Sequence, residues 1–111
     1  MELDVKTERD GDVCTATVTG EVDVYTSPTL KERLLAVSDG DCRLLVVALD
    51  GVGFIDSSGL GVLVGALRRM KERGAEMRLV CTRDQVLKIL RITGLDKVFT
   101  IEATLDEARV I

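Results

Sequence analysis

The first twenty residues show the alternation of apolar and polar side chains that is typical of β-strands. Residues 3–7 alternate between apolar or β-prone and charged side chains, which predicts a strand. A turn at 10–12, made of Asp and Gly, separates it from a second β-prone run at 13–18. Gly20 is expected to close this second strand, so the chain is predicted to begin with a β-hairpin.

Beyond the hairpin, short apolar runs alternate with segments that have helical spacing. The run at 43–49 is almost entirely apolar and is followed by Asp50 and Gly51, which predicts a strand that is buried on both faces and ends there. Further short strands are predicted at 77–81 and 98–101.

Four helices are predicted from the residues that begin them and from their apolar stripes. Ser27 precedes Pro28, a pair typical of an N-cap followed by the first helical position, and Asp56 is the natural N-cap of the central helix. Thr82 and Thr104 each open a capping-box pattern. Three of the helices have an apolar stripe: Leu30, Leu34 and Val37; Leu60, Leu63, Val64, Leu67 and Met70; and Val86, Leu87 and Leu90.

The order of these elements predicts the fold class. The first three helices are expected to end at 38–41, Gly74 and Gly94, which gives the order β-β-α-β-α-β-α-β-α. We therefore expect an α/β fold with a mixed sheet of about five strands flanked by about four helices, parallel in its later strands because helices separate them. No repeat or linker interrupts the sequence, so residues 1–111 are predicted to form one domain.

The corner between the central strand and the central helix is richer in serine and glycine than capping requires. With Asp56 as the cap, Ser57 and Ser58 lie in the first turn, near unpaired backbone N–H groups. Gly59 and Gly61 weaken the first turns by about 1 kcal/mol each relative to alanine, and we expect them to keep the surface around the hydroxyls open. These residues alone favour either ordinary capping or a surface for modification or docking.

Composition narrows the classes of function. Hydrophobic residues make up 46% of the 111 residues and charged residues 31%, as in ordinary globular domains. The net charge of −4 argues against a general nucleic-acid surface. The sequence contains no signal-peptide pattern and no apolar run long enough to span a membrane, so we expect a cytoplasmic protein. Three cysteines, Cys14, Cys42 and Cys81, lie in or beside apolar segments and are expected to be buried, reduced thiols.

Several kinds of chemical site fit the sequence poorly. The chain has no histidine, which argues against a Ser-His-Asp arrangement and against most metal sites, although a small enzyme with Ser57 as its nucleophile remains an alternative. Residues 51–56 nearly match the dinucleotide-binding glycine pattern, but Asp56 places a negative charge where the third glycine should be. Gly61 and Gly65 form a G-x-x-x-G pair that we expect to pack closely against the sheet.

Three blocks of sequence resemble a known family. They are the segments 20–28 (GEVDVYTSP), 54–63 (FIDSSGLGVL) and 79–81 running on to 92–99 (LVC to ITGLDKVF). Together they span nearly the whole chain, and it resembles the anti-sigma factor antagonist family, that is, a stand-alone STAS domain. The fold of this family, a mixed sheet flanked by helices, agrees with the element order predicted above.

The resemblance implies a function in partner switching. A member of this family binds an anti-sigma factor that is also a serine kinase, which frees a sigma factor. The kinase uses ATP to phosphorylate the serine after the motif aspartate, here Ser57, and a metal-dependent serine phosphatase reverses the modification. The resemblance therefore implies a regulatory protein that is not an enzyme, has no cofactor of its own, and contacts neither nucleic acid nor a membrane.

The resemblance also implies a partner-binding surface around Ser57. The loop that carries Asp23, together with the start of the first helix, is expected to lie beside the phosphorylation site. Many members have histidine or other polar residues after this aspartate, whereas this chain has Val24 and Tyr25. The alternatives are a STAS scaffold or nucleotide-binding regulatory module without a sigma factor circuit. The residues expected to form the surface are Asp23, Thr26, Ser27, Asp56, Ser58, Gly59 and Gly61.

Overall fold

The computed structural model describes residues 2–110, and within them the chain forms five β-strands and four α-helices. The strands are β1 (Leu3–Asp10), β2 (Val13–Val22), β3 (Leu44–Ile55), β4 (Glu76–Val80) and β5 (Thr100–Glu102). The α-helices are α1 (Ser27–Ser38), α2 (Ser57–Glu72), α3 (Asp84–Ile92) and α4 (Leu105–Ala108), and a 3₁₀ helix spans Leu95–Lys97. The predicted domain bounds also include Met1 and Ile111, which lie outside the described residues.

The five strands form one mixed sheet in the order β1-β2-β3-β4-β5. β1 and β2 pair antiparallel as the predicted hairpin, and the pairs β2–β3, β3–β4 and β4–β5 are parallel. Each parallel pair is joined by a connection that contains a helix, because parallel neighbours need a crossover. The predicted α/β class and mixed sheet are confirmed.

β3 lies at the centre of the sheet and is buried on both faces over its first half. Leu45, Val47 and Leu49 belong to the larger hydrophobic core, which also contains apolar residues of α1, α2 and α3. The alternating residues Leu44, Val46 and Ala48 belong to a smaller core that includes Ala108 of α4. Because successive side chains of a strand point to opposite faces, the continuous apolar run predicted at 43–49 corresponds to two cores.

Two predicted strand ends are wrong. β3 does not end at Asp50 and Gly51 but continues to Ile55, because its parallel pairing with β2 extends to Val22 and keeps Val52 and Ile55 buried. Gly20 lies inside β2 and does not close it. Only glycine fits there, because its φ is +112° and a Cβ at this position would lie 2.0 Å from Glu2 O.

Of the four N-caps that the sequence predicted, two are confirmed and two are wrong. Asp56 and Thr104 are N-caps, and Thr104 Oγ1 accepts a 3.2 Å hydrogen bond from Glu107 N. The capping box predicted at Thr82 is wrong, because the backbone N–H and the hydroxyl of Thr82 donate to the Asp50 carboxylate at 2.6 and 3.1 Å. The N-cap of α1 is Thr26, so the cap predicted at Ser27 is wrong as well.

The remaining bounds differ from the predictions by at most two residues, apart from the first strand, which ends at Asp10 rather than at 7. Within residues 2–110, no helix has both the length and the apolar character needed to cross a membrane. Cys14, Cys42 and Cys81 are buried free thiols, as predicted. Burial, the largest cause, raises the pKa of Cys14 to about 11.

Candidate functional site

The corner at the end of β3 is held together by the carboxylate of Asp56. Asp56 has extended backbone dihedral angles and caps α2. Its Oδ1 accepts hydrogen bonds from Ser58 N at 2.9 Å and from Gly59 N at 3.3 Å, and the Ser58 hydroxyl donates to the same oxygen. Asp56 therefore pairs two of the backbone N–H groups that the first turn of a helix leaves free.

These hydrogen bonds stabilise the charged form of Asp56. The hydroxyl of Ser58 is the largest cause that lowers the pKa of the Asp56 carboxyl below its ordinary value, and the N–H groups of Gly59 and Ser58 add to it. Asp56 is consequently an anion at neutral pH, and its Oδ1 is occupied by hydrogen bonds from Ser58 and Gly59.

Ser57 and Ser58 have different environments although they are adjacent. Ser58 is half-buried, and its hydroxyl is bonded to Asp56. Ser57 is exposed, and within residues 2–110 its hydroxyl has no hydrogen-bond partner. Of the two hydroxyls, only that of Ser57 is both accessible and free to react.

The loop between β2 and α1 is closed by hydrogen bonds that involve the side chains of Asp23 and Thr26. Asp23 is buried, and its Oδ1 accepts from Tyr25 N at 2.9 Å and from Thr26 N at 3.0 Å. The Thr26 hydroxyl accepts from Asp23 N at 2.9 Å and donates to Glu21 O at 2.8 Å. The side chains of Asp23 and Thr26 are thus engaged within the loop and fix its shape.

The loop and the corner are neighbours because β2 and β3 end together. Val22 pairs with Ile55 at the last position of the parallel ladder, and Asp56 N donates to Val22 O at 3.1 Å. Asp23 and Asp56 follow directly on adjacent strands. The structure therefore brings together the two segments that the resemblance placed in one surface.

The residues predicted for this surface differ in accessibility. Ser57 and Gly61 are exposed, whereas Thr26, Asp56 and Ser58 are half-buried, and Asp23, Ser27 and Gly59 are buried. The prediction that Gly59 keeps an open surface is wrong, because a Cβ at this position would lie 2.4 Å from Val22 Cγ1 and 2.8 Å from Ile55 Cγ1. Gly59 lets the first turn of α2 pack directly on the strand ends.

Gly61 and Gly65 also differ from the prediction. They were expected to pack closely against the sheet, but both are exposed, and a Cβ on either would meet nothing within 4 Å. The buried face of α2 is formed instead by larger side chains such as Leu63 and Leu67, together with Ala66.

Three apolar side chains of the Asp23 loop and of β3 are exposed and were not among the residues predicted for the site. Val24 is 63% exposed and Tyr25 87%, both in the Asp23 loop, and Phe54 on β3 is 46% exposed. Phe54 pairs with Glu21, two residues before Asp23. Two consecutive apolar residues after a loop aspartate were the signal in the sequence. Such side chains are typical of surfaces that a partner protein covers.

Comparisons with known proteins agree with one another. Residues 4–108 match the sequence model of the STAS domain family. An anti-sigma-B factor antagonist of Listeria monocytogenes is 35% identical over 102 residues, which cover 92% of this chain and 89% of the relative. The anti-sigma-B factor antagonist of Bacillus subtilis is 30% identical over 103 residues, covering 93% and 94%. The crystal structure of an anti-sigma factor antagonist from Mycobacterium paratuberculosis superposes with a TM-score of 0.90 at 29% identity, covering 96% of this chain and 91% of that one.

Proposed function

This chain belongs to the STAS domain family, and we propose that it is an anti-sigma factor antagonist switched by phosphorylation of Ser57. The relatives from Listeria monocytogenes and Bacillus subtilis are named anti-sigma-B factor antagonists, and this chain aligns with almost their whole length. The observation that supports the switch is the exposed hydroxyl of Ser57, which has no hydrogen-bond partner within residues 2–110, at a corner whose adjoining loop carries the exposed apolar side chains of Val24 and Tyr25. In the unmodified state this surface binds an anti-sigma factor kinase, and a sigma factor is released.

The accessibility of Ser57 favours it as the acceptor of the phosphate. Phosphoryl transfer requires the hydroxyl to approach the γ-phosphate of ATP held by the kinase. The Ser58 hydroxyl would first have to leave the Asp56 carboxylate, whereas the Ser57 hydroxyl has no bond to lose in residues 2–110. The chain itself supplies the acceptor, and the ATP and the catalytic groups belong to the kinase.

The fold is expected to tolerate a phosphate on Ser57. The N-terminus of a helix favours negative charge, and α2 is 16 residues long. The N–H groups of Ser58 and Gly59 already donate to Asp56, so the phosphate projects from the exposed Ser57 into solvent. Phosphorylation should therefore change what the surface binds rather than whether the domain folds.

At an interface the same charge opposes binding. Phosphorylation adds almost two negative charges. A single pair of like charges ~6 Å apart repels by roughly 3 kcal/mol at an effective dielectric constant of 20, which corresponds to about a hundredfold in affinity. The exposed apolar side chains of Val24, Tyr25 and Phe54 would favour association with the unmodified chain if the partner covers them, because they would lose contact with water in the complex.

The other proteins of the proposed switch are a phosphatase, the kinase and a sigma factor. A metal-dependent serine phosphatase would restore Ser57, and the cytoplasm is where the kinase, the phosphatase and a sigma factor meet. On this proposal the antagonist has no catalytic residue and no cofactor, and its contacts are with proteins rather than with nucleic acid or a membrane.

The proposal is tested by phosphate transfer to defined variants. A Ser57→Ala bait captures the kinase, which is identified by mass and then purified. Incubation of the purified kinase with ATP and the wild-type chain should add one phosphate, located on Ser57, while Ser58→Ala serves as the matched control and should also gain one. Absence of any phosphate on the wild type, or a phosphate on Ser58, would overturn the assignment.

A further inference from the structure

A groove lies between α1 and α2 and opens beside the Ser57 corner. Its volume is about 300 Å³. Its floor is apolar and buried, formed by Leu34 of α1 and Ala66 of α2, and its walls are the half-buried Leu35 and Val62. Ser58 lines one end, so the α1–α2 groove is continuous with the proposed phosphorylation site.

The α1–α2 groove is open because two positions of α2 have no side chain. Gly61 and Gly65, four residues apart, both line it, and a Cβ on either would meet nothing within 4 Å. Glycine destabilises a helix interior relative to alanine. Packing therefore requires glycine at Gly59, where a Cβ would collide with Val22, but not at Gly61 or Gly65.

The charges at the rim of the α1–α2 groove are not balanced. Lys31 and Arg69 both line it. Arg69 is paired with Asp39 at 2.8 Å, whereas Lys31 forms no ion pair within residues 2–110. An apolar cleft with one unpaired cation at its edge is complementary to an apolar side chain that lies next to a carboxylate.

We propose that the α1–α2 groove holds an apolar side chain of the anti-sigma factor kinase, next to a carboxylate that pairs with Lys31. This inference rests on the proposed function, because it names a second contact of the same partner. A kinase that reaches Ser57 covers the start of α2. Gly61 and Gly65 lie only about 6 and 12 Å further along the helix axis, well within an interface of ordinary size.

The α1–α2 groove contact is predicted to act on recognition and not on phosphoryl transfer. None of its residues is the acceptor hydroxyl, so the contact is present both before and during the reaction. Filling the groove should raise KM for phosphorylation and leave kcat unchanged, which is the pattern expected when uniform binding is lost.

Gly65→Leu tests the occupancy of the α1–α2 groove, and Ala36→Leu is its matched control. Ala36 is an exposed residue of α1 that does not line the groove. Gly65→Leu is expected to weaken binding of the purified kinase about tenfold, which is about 1.4 kcal/mol, and to raise KM similarly. Ala36→Leu should bind as the wild type does. Gly65→Ala should raise the thermal midpoint by about 2–4 °C. Such a rise would show that the fold accepts a side chain at position 65, so that weaker binding of Gly65→Leu is assigned to the filled groove and not to a damaged fold.

Lys31→Glu tests the charge at the rim, with Lys88→Glu on α3 as the control for the same change in net charge. Lys31→Glu should weaken kinase binding at least about tenfold and more strongly at low than at high salt. Lys88 is exposed and does not line the groove, so Lys88→Glu should have a clearly smaller effect.

The outcomes separate this inference from the function on which it rests. Wild-type binding and phosphorylation together with unchanged Kd and KM in both Gly65→Leu and Lys31→Glu would overturn the α1–α2 groove contact and leave the antagonist function intact. A wild-type chain that is neither bound nor phosphorylated by the kinase would overturn both. Equal losses in the variants and in their controls would also reject the groove as a specific contact.

Discussion

At the scale of single residues, the two adjacent serines are distinguished by one carboxylate. Asp56 accepts from the Ser58 hydroxyl and from the N–H groups of Ser58 and Gly59, and it leaves Ser57 exposed and unbonded within the described residues. Asp56 therefore has two roles, since it caps α2 and also engages the hydroxyl of Ser58 but not that of Ser57.

Ser57→Asp should weaken kinase binding while the domain stays folded. The carboxylate supplies part of the charge of a phosphate at an exposed helix start, where negative charge is tolerated. We expect at least about a tenfold higher Kd, corresponding to about 1.4 kcal/mol, and a thermal midpoint close to that of the wild type. Ser57→Asn is the uncharged control and should bind more tightly than Ser57→Asp. A large fall in the midpoint of Ser57→Asp would show that the change acts on the fold instead.

Asp56→Asn should change how stability depends on pH. The pKa of Asp56 is lowered in the folded chain, chiefly by the Ser58 hydroxyl, so its contribution is complete above the unfolded pKa of about 3.9. That contribution is lost as pH falls through the lower folded pKa. Asparagine keeps a capping oxygen without the charge. We expect the wild type to exceed the variant by about 0.3–1 kcal/mol at pH 7, measured by urea unfolding.

This difference in unfolding free energy should shrink below about pH 4. Asp41, whose pKa is lowered by the hydrogen bond from Arg9, is present in both proteins and cancels in the comparison. A difference that stays constant from pH 7 to pH 3 would show that the Asp56 charge does not contribute.

At the scale of elements, the start of α2 is positioned by glycines with different functions. Gly59 is buried against Val22 and Ile55, which places the helix start on the ends of β2 and β3. Gly61 and Gly65 contact nothing at their missing Cβ atoms and leave the α1–α2 groove open. Gly59 thus allows the helix to pack closely on the strands, whereas Gly61 and Gly65 leave the α1–α2 groove open.

Gly59→Ala should therefore destabilise the domain, and Gly61→Ala should not. A methyl group 2.4 Å from Val22 Cγ1 forces the strand ends or the helix to move, and such overpacking costs about 1–3 kcal/mol. Gly61→Ala, the matched control in the same helix, should gain about 0.5–1 kcal/mol. Denaturant unfolding of the two variants measures both values, and a stabilised Gly59→Ala would contradict the packing described here.

Asp23→Ala should disturb the β2–α1 loop and, with it, partner binding. The substitution removes the acceptor for the N–H groups of Tyr25 and Thr26, and the loss of bonds to a charged acceptor costs about 1.5–3 kcal/mol. Asp12→Ala, at an exposed turn residue, is the control. We expect weaker kinase binding for Asp23→Ala and unchanged kinase binding for Asp12→Ala. Wild-type affinity and phosphorylation in that variant would remove Asp23 from the site.

The elements that sequence could predict are those determined by nearby residues. The hairpin, the Asp56 cap and the Thr104 cap depend on neighbours a few positions away. Thr82 fails as a cap because Asp50, 32 positions earlier, takes its hydroxyl and its N–H. The extension of β3 to Ile55 likewise depends on its pairing with β2, which the local turn signal at Asp50 and Gly51 does not contain.

At the scale of the whole molecule, the parallel sheet brings the parts of the site together. β2 and β3 end side by side, so the Asp23 loop and the Asp56 corner meet although they are about thirty residues apart. The order of the elements predicted a mixed sheet that is parallel in its later strands, but not that β2 and β3 are neighbours. The resemblance placed the two segments in one surface. The burial of Gly59 and the α1–α2 groove were not predictable, because both depend on how α1 and α2 pack on the strands.

The whole domain is acidic, and phosphorylation of Ser57 would increase its negative charge. The net charge is −4 before modification, and the phosphate adds about −1.5 to −2. Because the added charge is localised at one corner of the domain, its main effect is expected at the interface that covers this corner.

The most direct test compares the affinity of one purified kinase for the unmodified chain and for the chain phosphorylated on Ser57. Isothermal titration should give a Kd about a hundredfold higher for the phosphorylated form, while the thermal midpoints of the two forms stay within ~2 °C of each other, a difference of about 0.5 kcal/mol. Equal affinities would contradict the switch at Ser57, and so would weaker binding that is accompanied by unfolding of the phosphorylated domain.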